Sequence, residues 1–266
     1  MSRFNRSHTA FFLLYAIIAG LLSGCGSAPA RHHERQIDGS AKLKTAEDNS
    51  PAMINVQLGA GYLQRGDLDV ALEKLQRALK YDPKLAVAHS LLGVVYTRMG
   101  VLDKAWKHYR LSIKYGSNDA SIVNNYGTFL CQQGEYDKAV RYYEMASQNR
   151  FYQTPYVALE NAGVCLMKAG KLEQAEKHFT EALKWKPDLP VSLYNMVIIQ
   201  DKKGKPFKVR AFLQRLEAVH ELDDKMLAIG YRAEKQLGNL TGAKQYYQRL
   251  AQRFPQSEAF KALQQR

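Results

Sequence analysis

A glycine returns along this chain at a nearly constant interval. It stands at Gly66, Gly100, Gly134, Gly170, Gly204 and Gly238, with spacings of 34, 34, 36, 34 and 34 residues. That length fits two short antiparallel helices and a tight turn, with glycine supplying the left-handed backbone where the chain reverses. Other registers share the period. Seven residues before each turn stands Gly59, Gly93, Gly127 or Gly163, lapsing to Val197 and Tyr231 in the last two copies. Five residues after each turn stands Ala71, Ala105, Ala139, Ala175, Val209 or Ala243. Four residues later comes Leu75, Tyr109, Tyr143, Phe179, Leu213 or Tyr247. The small residues fall where the two helix backbones pass closest and the large ones fill the space beside them. Pro83, Pro187 and Pro255 close units one, four and six, since proline cannot continue a helix.

This is the pattern of tetratricopeptide repeats, 34-residue helix–turn–helix units that bury their apolar faces by stacking. The expected fold is all-α, a right-handed superhelical solenoid of six repeats at 52–85, 86–119, 120–153, 156–189, 190–223 and 224–257. A short capping helix follows at 258–266, started by Ser257 and burying Phe260 and Leu263. The two-residue slip falls at Thr154 and Pro155, between repeats, where threonine can cap a helix and proline occupy its first turn.

Residues 1–24 read as an export signal. Arg3, Arg6 and His8 precede the apolar run Ala10–Leu22, too short for a comfortable membrane span of about 20 residues. The run ends in Leu22-Ser23-Gly24-Cys25, which resembles a bacterial lipobox, so Cys25 is the expected lipidation site. With Gly26 rather than aspartate after it, the expected location is the outer membrane, facing the periplasm. From residue 25 to 51 the chain is polar and aperiodic and reads as a tether. The net charge is +13, and +11 without Arg3 and Arg6, which favours anionic partners without choosing among them.

Along each first helix, unit positions 2, 5, 9 and 12 form one helical stripe. Two readings compete: the stripe is core, or it is an open apolar groove for an amphipathic helix or extended peptide. The groove reading is favoured, because other positions already supply the packing. Its expected lining is Met53, Val56, Ala60 and Leu63 in unit one, Val87, Ser90 and Val94 in unit two, and Asn124 and Thr128 in unit three. Asn124 is expected to meet a partner's backbone and Asn125 to brace the neighbouring repeat. Lys202, Lys203, Lys205, Lys208 and Arg210 read as a solvated basic face, with contact to lipid headgroups as the other reading. Cys131 and Cys165 lie in apolar helical runs, either as small buried residues or as a disulfide. His108 and His178 share one unit position and read as surface residues. Nothing in the sequence has the spacing of a catalytic, metal or cofactor motif, so no enzyme, cofactor or metal is expected. The partners expected are proteins and a membrane, with neither nucleic acid nor a small-molecule substrate.

The sequence also resembles a family, the type IV pilus biogenesis lipoproteins PilF and PilW. The resemblance rests on Leu22–Cys25, on the run Gln57-Leu58-Gly59-Ala60-Gly61-Tyr62-Leu63-Gln64-Arg65-Gly66, on Asn124-Asn125-Tyr126-Gly127, and on six repeats with the slip between three and four. It implies an outer-membrane pilotin that binds pilus secretin subunits and promotes their delivery or multimerisation, with the partner docking on the early repeats. A lipid-anchored adaptor for peptidoglycan enzymes is the alternative.

Overall fold

The computed structural model describes residues 49–265. The expected signal segment, Cys25 and all of the tether before residue 49 lie outside the described residues. Within them the chain forms thirteen α-helices and no strand. Six pairs come first: α1 (Pro51–Arg65) with α2 (Leu68–Tyr81), α3 (Ala86–Arg98) with α4 (Leu102–Gly116), α5 (Ala120–Gln132) with α6 (Tyr136–Ser147), α7 (Pro155–Lys168) with α8 (Leu172–Trp185), α9 (Pro190–Lys202) with α10 (Pro206–Glu217), and α11 (Asp224–Gln236) with α12 (Leu240–Arg253). Then α13 (Glu258–Gln264) packs on α11. The first helix starts at Pro51, inside the stretch expected to be tether, because the Ser50 hydroxyl accepts from the Met53 amide at 3.2 Å and caps it.

All six interhelix glycines are left-handed, with φ between 61° and 84°, a conformation other residues adopt only with strain. The second device is close approach. A Cβ placed on Gly59 would lie 2.7 Å from Leu75, on Gly93 2.8 Å from Tyr109, on Gly127 3.0 Å from Tyr143 and on Gly163 2.7 Å from Phe179. Each large side chain of the second helix therefore rests on bare backbone of the first. Unit six keeps this contact one residue away from the expected register: Gly230, not position 231, receives Tyr246, at 2.9 Å. Unit five has no such glycine, and Val197, Val209 and Leu213, all buried, fill the seam with aliphatic volume.

First helices touch the first helices of adjacent repeats, α1 on α3 and so on to α11, whereas second helices mainly touch the first helix of the next repeat. The first helices thus form the inner row of the array. Among the described residues the core runs along it from Ala52, ending where Phe260 of α13 is buried against Tyr247, ring centroids 5.5 Å apart. The Ser257 hydroxyl caps α13 by accepting from the Phe260 amide.

Two polar features cross-link the array. Cys131 of α5 and Cys165 of α7 form a disulfide, with Cα atoms 5.8 Å apart and a sequence separation of 34, so it joins repeats three and four. His108 is not a surface residue. Its Nδ1 lies 3.0 Å from Nδ1 of His89, whose Nε2 lies 3.1 Å from the Pro83 carbonyl. A carbonyl only accepts, so His89 carries its proton on Nε2 and His108 donates from Nδ1. His178 is half-buried, its Nε2 3.6 Å from Glu144.

Closing a 34-residue loop is worth about 2–4 kcal/mol. The double substitution Cys131→Ala, Cys165→Ala is therefore expected to lower unfolding stability by about that amount, and reductant to lower the denaturation midpoint of the native chain but not of the variant. Burial, followed by repulsion from the neighbouring His89, lowers His108 from 6.5 to about 4, and burial also lowers His89. The unfolded chain then takes up protons first, so stability is complete above pH 6.5 and declines as the pH falls toward about 4. In His108→Phe, denaturant melts across that range should show a flatter decline.

Candidate functional site: the inner face of the repeat array

The inner row carries the stripe expected to form a groove. In unit one Val56 and Leu63 are buried, at 0% and 4% exposure, while Met53 and Ala60 are half-buried. In unit two Val87 is half-buried, and Ser90 and Val94 are buried; in unit three Asn124 and Thr128 are buried. The continuous groove expected over units one to three is therefore closed. Six of its nine residues are core, and only Met53, Ala60 and Val87 offer partial surface. The reason is packing between repeats. Positions 5 and 12 turn into the seam where one first helix meets the next, so the same stripe that faces inward is covered by its neighbours.

Much of what covers it is polar. Asn125 donates from Nδ2 to the Ser90 hydroxyl at 3.4 Å, tying unit three to unit two as expected of it. Asn124 accepts at Oδ1 from Asn161 Nδ2 of unit four, 3.1 Å away, which corrects the expectation that it meets a partner's backbone. Thr128 donates to the Asn124 carbonyl and accepts from the Tyr143 hydroxyl. Glu160 of unit four accepts at Oε1 from both the amide (2.9 Å) and the hydroxyl (2.8 Å) of Ser192 in unit five. Burial pushes the Glu160 carboxyl above its ordinary range, and the two Ser192 bonds oppose that. Tyr194 donates to Asp223, the N-cap of α11 at the end of unit five, and Arg232 pairs with Asp201 at 2.8 Å, joining units five and six. Arg98 donates to the Leu63 carbonyl, joining units two and one. Each junction between successive repeats thus has a side-chain hydrogen bond on or beside the inner row. Sequence reasoning missed this ladder. Its one visible signal was polar residues on a stripe otherwise apolar.

The stripe opens again at the other end. Val164, Met167, Val191 and Ile198 are half-buried, and beyond them a cleft of about 300 Å³ lies between α9, α11 and α13. Ile198, Ala228, Ile229 and Leu263 give it apolar walls, and Lys202, Lys225 and the Arg232–Asp201 pair stand on its rim. Ile198 and Asp201 of unit five and Lys225, Ala228 and Arg232 of unit six stand at the stripe positions of unit one. Ala228 and Ile229 are buried there, whereas Ile198 and Leu263 are half-buried. The volume is at the small end for ligand pockets, which run to about 1,000 Å³, and suits an apolar side chain or two of a peptide. Among the described residues no group of three or more His, Cys, Asp or Glu side chains is placed to hold a metal ion. The inner face presents shape, apolar surface and fixed charge, the equipment of a binding scaffold.

Comparison with known proteins agrees. Family models described as TPR repeat match residues 59–100, and models described as tetratricopeptide repeat match 118–184 and 226–257. A search of curated protein sequences finds no match. Among solved structures the chain is similar to PilF of Pseudomonas aeruginosa, with a TM-score of 0.74 and 28% identity over 80% of this chain and 96% of that one. It is also similar to PilW, a widely conserved type IV pilus biogenesis factor, with a TM-score of 0.70 and 28% identity over 81% and 99%. MamA, at 17% identity and a TM-score of 0.52, shares the fold. Six helix pairs, six left-handed turn glycines and these likenesses lead to one assignment: the chain is a tetratricopeptide-repeat protein related to the type IV pilus biogenesis factors PilF and PilW.

Proposed function

We propose that this protein is an outer-membrane lipoprotein of type IV pilus biogenesis, a pilotin that binds secretin subunits and promotes their localisation or multimerisation. The observation that carries the proposal is similarity to PilF and PilW over four fifths of this chain and nearly all of theirs. The lipobox ending at Cys25 supports the anchor. Lipid on Cys25 holds the chain at the membrane, since each buried methylene contributes about 0.8 kcal/mol. Between Cys25 and the Ser50 cap of α1 lie 24 residues, a length whose random-chain reach is roughly 25–30 Å root-mean-square. The array then searches a thin layer of periplasm, where a captured subunit and the membrane share a raised effective concentration. The secretin segment lies on the inner face, against Met53, Ala60 and Val87. No bond is made or broken.

Deleting the protein should abolish heat-stable secretin multimers in the outer membrane; normal multimers and pili would refute the reading. Cys25→Ser should leave the chain unprocessed or soluble on membrane fractionation. Val56 and Leu63 are unsuitable for mapping the contact, since a charge at either enters the core. Met53→Asp with Val87→Asp should weaken capture of a secretin segment by tenfold or more while the melting curve stays cooperative. Loss on Ile198→Asp instead, at a half-buried wall residue, would move the contact to the cleft of units five and six.

A further inference from the structure

The turn of unit five differs from those before it. In units one to four the third residue after the turn glycine is acidic, Asp69, Asp103, Asp137 or Glu173, in the first turn of the second helix. There a carboxylate complements the helix dipole. In unit five that position is Phe207, 72% exposed, and neither α10 nor α12 has an acid in its first turn. Around Phe207 stand Lys202, Lys203, Lys205 and Lys208. The nearby carboxylates are already engaged: Glu176 and Glu173 by Lys203, Asp201 by Arg232, and Glu234 by a two-pronged contact from Arg210 at 2.7 and 2.6 Å. Lys202, Lys205 and Lys208 are left as surplus positive charge on exposed stems. In the next repeat Leu240, the first residue of α12, is also 72% exposed, with exposed Lys235 and Lys244 in the flanking helices.

We infer that this edge of units five and six binds the surface of an anionic lipid bilayer. Phe207 and Leu240 project singly from the turns of successive repeats, and neither lines the cleft between α9, α11 and α13. Insertion among acyl chains asks only for apolar points flanked by cations, whereas a protein partner would need a continuous complementary surface. Lysines close to an anionic leaflet supply long-range attraction, and the ring and the leucine supply short-range partition. The contact goes beyond the pilus reading and needs neither Cys25 nor a secretin. On an anchored chain it would lay the C-terminal repeats against the membrane.

The test uses the chain from residue 26, without the lipidated cysteine, sedimented with vesicles of phosphatidylethanolamine and phosphatidylglycerol or of phosphatidylcholine alone. Binding is expected for the anionic vesicles and to weaken with salt. Each lysine near such a surface is worth about fivefold. The triple substitution Lys202→Gln, Lys205→Gln, Lys208→Gln should therefore lower the partition coefficient roughly a hundredfold, with the melting curve unchanged because these side chains are exposed. Phe207→Ser should weaken the binding that remains at high salt. No binding, equal binding to both vesicle types, or an unaffected triple variant would overturn the inference. So would binding to a soluble acidic polypeptide in place of the vesicles, which would mark the edge as a protein contact. None of these results bears on secretin multimers, so the two proposals fail separately.

Discussion

The array depends on one contact repeated along it, a large side chain of the second helix resting on a glycine of the first. Gly59 with Leu75, Gly93 with Tyr109, Gly127 with Tyr143 and Gly163 with Phe179 bring the two backbones closer than any Cβ would allow. Close approach in turn requires a turn of minimal length, which the left-handed glycines provide. The pair so formed has its remaining apolar surface on its flanks, so it is unstable alone and stacks on its neighbour. Where the glycine is lost, as in unit five, valine and leucine fill the same seam. Where it moves by one residue, as in unit six, the aromatic partner moves with it to Tyr246.

Stacking decides what the inner face can offer. Successive first helices lie against one another, and the residues that might have lined a groove become the glue between repeats. Asn124, Asn125, Asn161, Glu160 and Ser192 spend their hydrogen bonds on adjacent units. Asn124 Nδ2 and Asn125 Oδ1 have no protein partner, although both residues are buried. Such a ladder fixes the angle between repeats, because polar bonds are directional where apolar contacts are not. It is joined by the disulfide between units three and four, at the junction where two extra residues enter the loop. The middle of the inner row is thereby braced, and its half-buried apolar stripe residues are left toward the two ends.

Charge is divided in the same way. Carboxylates at the junctions are used internally by Lys203, Arg210 and Arg232, while Lys202, Lys205 and Lys208 around the fifth turn remain outside. A scaffold of this kind acts by holding partners in place: its chemistry is the shape of its inner row and the sign of its edges.

Periodicity alone determined the fold, the number of repeats, the turn glycines and the bracing role of Asn125, because local backbone geometry and helix-to-helix distance are written in residues at fixed spacing. The expected export signal and the lipobox-like run Leu22–Cys25 are readings from local motifs of the same kind. Only tertiary structure decided which stripe residues are open, since exposure of Val56 or Asn124 depends on the angle between repeats and not on their own helix. It also joined Cys131 to Cys165, set half-buried His108 against buried His89, and moved the glycine seam of unit six to Gly230. Each of these pairs residues through helix rotation and stagger, quantities that a repeat of 34 leaves free within about a residue.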